Sequence, residues 1–305
     1  MFIAIFNYTK AKYTKQNTKK ERQVIFEHEI PEGTKLYFGK SARIKRELES
    51  YACEVFSNNG FEEIVTPYFS YFEHQQNIGD RRIIRLNSQN NHQISLRYDS
   101  TIDTIRILTK RLGRAINHQK WFYIQPVFSY PTNEIYQIGA ECLNPSNFTQ
   151  VIGLCLQILD KFSLQSHLQI SNTKILQLCL AEMEQSLESF SSLCLEEIVK
   201  KAPFMQDVVR ISSIEDLASY TANAPMFLKL ECERLLDKAK SCEYPRTLIS
   251  PLERTMVAYY DDIVYKGFSQ NSILFLGGKY KIQDCLCGGV GIYEDNVIAK
   301  ILKGN

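Results

Sequence analysis

Strand-like and helical segments are grouped along this chain of 305 residues instead of alternating regularly. Residues 121–128 and 135–143 are rich in β-branched and aromatic side chains and flank a Pro131-Thr132-Asn133 turn, which is typical of a hairpin. Residues 173 to 242 read almost entirely as helix. Strand-like runs then return at residues 263–268, 272–276 and 289–293, punctuated by Gly277-Gly278 and Gly288-Gly289. This grouping predicts an α+β fold, with an antiparallel sheet flanked by helices and a helical insertion at about 173–245.

The first half of the chain supplies shorter elements. Apolar positions recur at three- and four-residue steps from Ser41, and Asn58-Asn59-Gly60 then predicts the end of a helix. Residues 61–66 read as a strand ended by Pro67, which lacks the N–H of a central strand and therefore favours a sheet edge or an interface. The remaining predicted elements are a hairpin at residues 80–98 and helices at 101–112 and 148–162.

Composition excludes several classes of protein. The net charge of +2 gives no bulk attraction to nucleic acid, and the basic, polar residues 1–28 are expected to be a flexible extension. The nine cysteines lack metal-site or redox spacing, since even Cys285 and Cys287 are separated by one residue. We therefore expect no metal and no cofactor. No apolar run is long enough to span a bilayer or form a signal peptide, so a cytoplasmic location is expected.

Four segments in a fixed order carry a family resemblance. They are residues 94–101 (Ile-Ser-Leu-Arg-Tyr-Asp-Ser-Thr), residues 123–141 with their Gln-x-Gly-x-Glu ending, Tyr259-Tyr260, and Gly277-Gly278-Lys279-Tyr280. In this order they resemble the catalytic core of the class II aminoacyl-tRNA synthetases, in particular the histidyl branch, from about residue 29 to 305. The helix, strand and Pro67 resemble the first motif of that class, which implies self-association as a dimer through this region.

The resemblance implies a histidine pocket. A desolvated α-ammonium group needs carboxylate and amide oxygens, which Asp99, Gln137 and Glu141 would supply. Because Gln137 and Glu141 are four residues apart on a predicted strand, they share one face of the sheet. The resemblance adds Thr101, Tyr259 and Tyr260 to the site. Two other interpretations stay open at this stage, namely that Asp99 only caps the helix at Thr101 and that the tyrosine pair only packs in the core.

The residues that handle ATP in the synthetases are replaced here. An arginine follows the motif-two strand in that class and stabilises charge on the α-phosphate, but this chain has Ser129. The motif-three stretch, residues 289–300, contains no arginine. A third family arginine aligns with Thr255, with Arg254 one residue away. An anticodon-binding domain is also not expected, because the chain ends shortly after motif three.

This combination resembles the regulatory subunits of ATP phosphoribosyltransferase, which act in the first step of histidine biosynthesis. The resemblance implies no catalysis by this chain, a short-form catalytic subunit as partner, and histidine as a feedback effector. One alternative is an active class II amino-acid ligase or histidyl-tRNA synthetase-like enzyme, against which Ser129 argues. A second is a nucleic-acid-binding accessory subunit, supported by the basic extension and by Arg81, Arg82 and Arg85.

Overall fold

The two runs that flank Pro131 form the antiparallel hairpin at the heart of an eight-stranded sheet. The computed structural model describes residues 29–75, 83–113, 117–145, 148–192, 195–254, 260–282 and 285–304. In these ranges the strands are β1 (Glu62–Glu63), β2 (Phe69–Tyr71), β3 (Arg85–Asn87), β4 (Gln93–Leu96), β5 (Lys120–Ser129), β6 (Asn133–Leu143), β7 (His167–Asn172), β8 (Thr247–Ile249), β9 (Tyr260–Ser269), β10 (Ser272–Ile282) and β11 (Cys285–Tyr293).

The helices flank this sheet. They are α1 (Gly39–Asn58), α2 (Ser100–Arg106), α3 (Thr149–Lys161), α4 (Thr173–Glu182), α5 (Leu187–Ser192), α6 (Leu195–Lys201), α7 (Met205–Val208), α8 (Ile214–Asn223), α9 (Met226–Lys240) and α10 (Glu294–Lys303). A π-helical turn, Ile107–Leu112, extends α2. In the described ranges, no helix is both long and apolar enough to cross a bilayer.

The strand order of the large sheet is β1-β5-β6-β11-β10-β9-β7-β8. The six strands from β5 to β7 pair antiparallel, as predicted, whereas β1 and β8 at the two edges pair parallel to β5 and β7. The α+β class is confirmed, but the sheet is mixed. A parallel neighbour requires a long crossover, and the helices α4 to α9 provide one between β7 and β8.

Most predicted elements are confirmed, and three predictions need correction. The helices expected at 41–58, 101–112, 148–162 and 173–242 are present, and the hairpin expected at 80–98 forms β3 and β4 of a small sheet with β2. The strand expected at 61–66 is reduced to β1. Gly277-Gly278 and Gly288-Gly289 lie inside β10 and β11 and do not interrupt them. The sequence analysis also missed β7, β8 and α10.

Side chains alternate between two faces of the large sheet. On one face Phe122, Ile138, Phe275 and Val290 join the main core beneath α1, α3, α4, α9 and α10. On the other face Trp121, Tyr260, Tyr280 and Cys287 form a smaller cluster with Ile105 of α2 and Leu108 of the π-helical turn. Strand alternation therefore sends successive residues to chemically different surroundings.

Candidate functional site

A cavity of about 310 Å³ opens on the sheet face that carries α2. Its lining residues are Tyr98, Asp99, Thr101, Tyr123, Val127, Phe128, Ser129, Ile135, Gln137, Tyr260, Ile273, Leu276, Gly291 and Tyr293. They come from β5, β6, β9, β10, β11 and the start of α2, which are far apart along the chain. Four of the six residues predicted as site residues, Asp99, Thr101, Gln137 and Tyr260, therefore line one cavity.

Glu141 lies buried behind this cavity. Its carboxylate accepts hydrogen bonds from Thr101 Oγ1 at 2.6 Å, Tyr123 Oη at 3.3 Å and Tyr280 Oη at 2.5 Å. Burial is the main cause that raises the pKa of Glu141 to about 8, and the bonds from Thr101 and Tyr280 oppose that rise. The carboxyl group is thus held by three hydroxyls without a cationic partner among the described residues.

Asp99 caps a helix and also lines the cavity. It is the N-cap of α2, where its side chain accepts a hydrogen bond of 3.1 Å from the backbone N–H of Ile102, and it also lines the cavity. The cap fixes where the carboxylate stands. It also aligns the next turn, so that Thr101 reaches Glu141.

Three glycines lie on the sheet face that carries the cavity, and one of them, Gly291, lines it. A Cβ atom on Gly139 would lie 2.2 Å from Cζ of Tyr123, and one on Gly289 would lie 1.9 Å from Oε2 of Glu141. The side chains of Tyr123 and Glu141 therefore rest directly on neighbouring strands. At Gly291 a Cβ would meet nothing within 4 Å, because this glycine faces the open cavity.

Aromatic side chains form much of the wall. Tyr260 is buried, lines the cavity and has its ring centroid 6.2 Å from that of Tyr280. Tyr259, the other member of the predicted pair, lies outside the described residues, as does Thr255. The sequence analysis did not assign Tyr123, Tyr280 or Tyr293 to the site. Alternation along β5 and β11 gave a signal for Tyr123 and Tyr293, but only the strand register shows which residues the three tyrosines face.

The cavity is acidic. Among the described residues that line it, none is lysine or arginine, and Ser129 stands at the end nearest the β5–β6 turn. Arg254 is exposed and does not line the cavity. Arg97 is buried, but its guanidinium donates to oxygens of Thr66, Pro67 and Pro126. Such surroundings favour an ammonium group and disfavour a polyphosphate.

The fold is that of the class II aminoacyl-tRNA synthetase core in its histidyl form. The histidyl-tRNA synthetase family profile matches residues 37–202. A Bacillus halodurans crystal structure described as an ATP phosphoribosyltransferase regulatory subunit/histidyl-tRNA synthetase superposes with a TM-score of 0.79 at 16% identity, over 92% of this chain and 84% of that one. Histidyl-tRNA synthetase from Nostoc gives a TM-score of 0.73 at 15% identity, over 92% and 76% of the two chains.

Sequence identity to known proteins defines the family within this fold more closely. The chain is 44% identical to the ATP phosphoribosyltransferase regulatory subunit of Wolinella succinogenes, over 92% of this chain and 99% of that protein. It is 47% identical to the regulatory subunit of Helicobacter hepaticus, over 92% and 100% of the two chains. A histidine–tRNA ligase from Methanococcus aeolicus is 26% identical over 48% of this chain. The chain belongs to the family of ATP phosphoribosyltransferase regulatory subunits.

Proposed function

We propose that this protein is a non-catalytic subunit that activates a short-form catalytic ATP phosphoribosyltransferase and makes it sensitive to histidine. The observation that carries the proposal is the acidic cavity, which has Asp99 and aromatic side chains in its wall, Glu141 buried behind it, and no lysine or arginine among its described lining residues. Family membership supports a catalytic partner, since the relatives are named as regulatory subunits.

Histidine is the ligand that we assign to this cavity. Its α-ammonium group would bind between Asp99 and Glu141, with Gln137 and Thr101 beside it, and Tyr259 and Tyr260 would contact the imidazole ring. Aromatic rings offer a flat surface and a hydroxyl to such a heterocycle. Feedback inhibition then needs histidine to bind two states of the complex with different affinity, and a difference of about 1–3 kcal/mol is sufficient.

Activity of the reconstituted complex tests this function. Adding the protein to a short catalytic subunit is expected to raise phosphoribosyl transfer, and histidine is expected to suppress it. In complexes that assemble normally, Asp99→Ala and Glu141→Ala should remove the inhibition, whereas the exposed acid substitution Glu47→Ala on α1 should keep it. Histidine inhibition that survives both site substitutions unchanged would contradict the assigned site.

A pyrophosphate exchange assay tests the absence of catalysis. The isolated protein is expected to show no histidine-dependent exchange, because the cavity offers no cation to the α-phosphate among its described residues. Turnover well above background would favour the histidyl-tRNA synthetase-like alternative. Binding of tRNA or duplex DNA that weakens steeply with salt would favour the nucleic-acid alternative.

We also propose that the protein self-associates through the region that resembles motif one. Val65, Tyr68, Phe69 and Tyr71 follow one another in and around β2, and more than half of each side chain is exposed. A run of exposed apolar side chains is typical of a protein interface. Phe69→Asp should dissociate the dimer in sedimentation experiments, whereas Met226→Asp, at an even more exposed apolar position on α9, should not.

A further inference from the structure

Two cysteines on β11 form a close dithiol that the proposed function does not use. Cys285 and Cys287 are two residues apart on one strand, so their side chains share a face of the sheet. Their Sγ atoms are 3.5 Å apart. Cys287 is fully buried and Cys285 is half-buried, while Leu286 between them is largely exposed. The dithiol therefore combines a thiol near solvent with one inside the protein.

This dithiol lies directly behind the cavity. Cys287 is the antiparallel pairing partner of Tyr280, whose hydroxyl donates to the buried carboxylate of Glu141. The thiol of Cys287 also packs in the cluster that contains Tyr260 and Trp121. Cys287 thus neighbours Tyr260, which lines the cavity, and Tyr280, which supports Glu141.

We propose that Cys285 and Cys287 are a modification site that closes to an intramolecular disulfide by exchange with a low-molecular-weight disulfide, and that closure weakens ligand binding in the cavity. The second half of this proposal rests on the proposed function, because it takes histidine as the ligand. The first half does not.

Oxidised glutathione can oxidise the dithiol in two exchange steps. The thiolate of Cys285 attacks one glutathione sulfur, forms a mixed disulfide and releases one glutathione thiolate. Cys287 then attacks the sulfur of Cys285, the mixed disulfide breaks, and the proton of Cys287 passes to the second departing glutathione. One oxidised glutathione becomes two reduced glutathiones, and the protein loses two hydrogens.

The order of attack follows from exposure. Burial is the main cause that raises the pKa of the Cys287 thiol, so this residue forms little thiolate on its own. Cys285 is the more accessible thiol, because it is half-buried whereas Cys287 is fully buried. Cys285 is therefore the entry thiol and Cys287 the resolving thiol.

Closure strains the extended strand, because residues two apart on a strand are separated by roughly 6.6 Å, whereas Cα atoms joined by a disulfide are usually about 5.5–6 Å apart. A disulfide bond is about 2.05 Å long, so the two sulfurs have to approach each other by about 1.5 Å from their separation of 3.5 Å. The start of β11 pairs with Lys281 and Ile282 as well as Tyr280. We expect this movement to shift Tyr280 and loosen its hydrogen bond to Glu141.

The full chain can be tested in glutathione redox buffers. After the remaining thiols are alkylated, mass spectrometry of the peptide that contains both cysteines should show the loss of two hydrogens and no alkylation. Trp121 is the only tryptophan of the chain and packs in the same cluster as Cys287, so its fluorescence should be quenched by the new disulfide. Recovery of both cysteines as alkylated thiols under oxidising conditions would overturn the proposal.

Single substitutions distinguish the roles of the two thiols. Cys287→Ser should stop at the mixed disulfide on Cys285, and Cys285→Ser should block the reaction. Cys285→Ser changes a half-buried position, so it remains informative if Cys287→Ser fails to fold. Cys53→Ser, on the half-buried thiol of α1, is the matched control and should react as the wild type does. A reaction that depends on Cys53 and not on Cys285 contradicts the assignment.

Histidine titration tests the coupling. The oxidised protein should bind histidine about tenfold more weakly than the reduced protein, within the usual range of couplings between sites, and dithiothreitol should restore binding. Equal affinities would overturn the coupling while leaving the disulfide established by mass. If the reduced protein does not bind histidine at all, the proposed function fails, but the mass and fluorescence results still decide the modification site.

Discussion

The two ends of the cavity have opposite chemical character. At one end the buried carboxyl group of Glu141 is held by three hydroxyls, with Asp99 fixed nearby at the cap of α2. At the other end Ser129 and Ile135 carry no charge. Glu141 lies six positions after Ile135 on β6, which is roughly 20 Å along a strand. We call these the carboxylate end and the Ser129 end.

Under the proposed function, this fold has lost the ability to use ATP and kept the ability to bind an amino acid. In the synthetases that this chain resembles, an arginine at the Ser129 end stabilises phosphate charge, while the carboxylate end holds the amino acid. Here the described lining residues include the acidic Asp99 but no cation. Because chemistry belongs to the site and not to the fold, the likeness to synthetase structures does not imply ligation. The following four predictions test this contrast.

The largest effect is expected at the carboxylate end. Glu141→Gln keeps the shape of the side chain but removes the charge that would pair with the ammonium group of histidine. Loss of one partner from a buried charge pair costs about 2–5 kcal/mol, so histidine affinity should fall by about 30-fold or more. Isothermal titration calorimetry measures this, with Glu47→Gln as an exposed control. A loss smaller than about fivefold would show that Glu141 does not contact the ligand.

The next prediction concerns the open part of the cavity at Gly291. Gly291→Leu should weaken histidine binding by about tenfold or more, because its side chain would enter the open cavity, and the fold should remain stable. Gly139→Ala is the matched comparison. Its Cβ would collide with the ring of Tyr123, which should destabilise the protein by about 1–3 kcal/mol in urea unfolding. If Gly291→Leu binds histidine normally, the ligand does not occupy this part of the cavity.

A moderate effect is expected from pH. The pKa of Glu141 is about 8, so the group is mainly protonated at pH 7, and an ammonium ligand should drive the proton off. The bound state then holds fewer protons, and affinity should rise with pH by at most about tenfold per unit below pH 8 and level off above it. Calorimetry in buffers of different ionisation enthalpy should detect close to one released proton.

The same raised pKa has a consequence for stability. In the unfolded chain the pKa of Glu141 has its ordinary value of 4.5, so the folded state binds the proton more tightly. The stability that this proton binding gives the folded state is therefore lost as pH rises from about 4.5 to about 8.

Asp99→Asn is the control for the proton released on binding. It retains Glu141 and should therefore release the same proton when histidine binds, although histidine binds more weakly. A titration that releases no proton in either protein would contradict the assignment of Glu141 as the ammonium partner.

The smallest effect is expected at the Ser129 end. Ser129→Arg restores one cation, yet histidine affinity should stay within about twofold, because a charge separated from the ligand by more than ~8–10 Å is largely screened. Histidine-dependent pyrophosphate exchange should remain at background, since motif three still lacks its arginine. The serine-to-alanine change at this position serves as the uncharged control. Exchange activity in Ser129→Arg would mean that a single residue had silenced an otherwise competent site.

Sequence reasoning predicted the long elements well because their signals are local. The apolar spacing of α1 and the turn that joins β5 to β6 are each contained in a short window, and both elements are confirmed. The prediction that the glycine pairs interrupt the strands was wrong for a physical reason. Gly277 and Gly289 suit turns, but they also allow close approach inside a sheet, and here Gly289 makes room for Glu141.

The candidate site was predicted in part. Asp99, Thr101, Gln137 and Tyr260 line the cavity, and Glu141 lies just behind it, as expected for residues placed by motif order. Their role in binding histidine remains a prediction. Tyr123 and Tyr280 were missed because each contacts Glu141 across the sheet, from a different strand.

The sequence by itself determined the family, the order of the motifs, the fold class and the replacement of the motif-two arginine by Ser129. It did so because each of these depends on residue types and spacings within short segments. Only the tertiary structure decided that Tyr280 supports Glu141, that Cys287 pairs with Tyr280, and that Gly291 opens the floor of the cavity. These relations depend on the register between strands that are distant in the chain, and local periodicity does not encode that register.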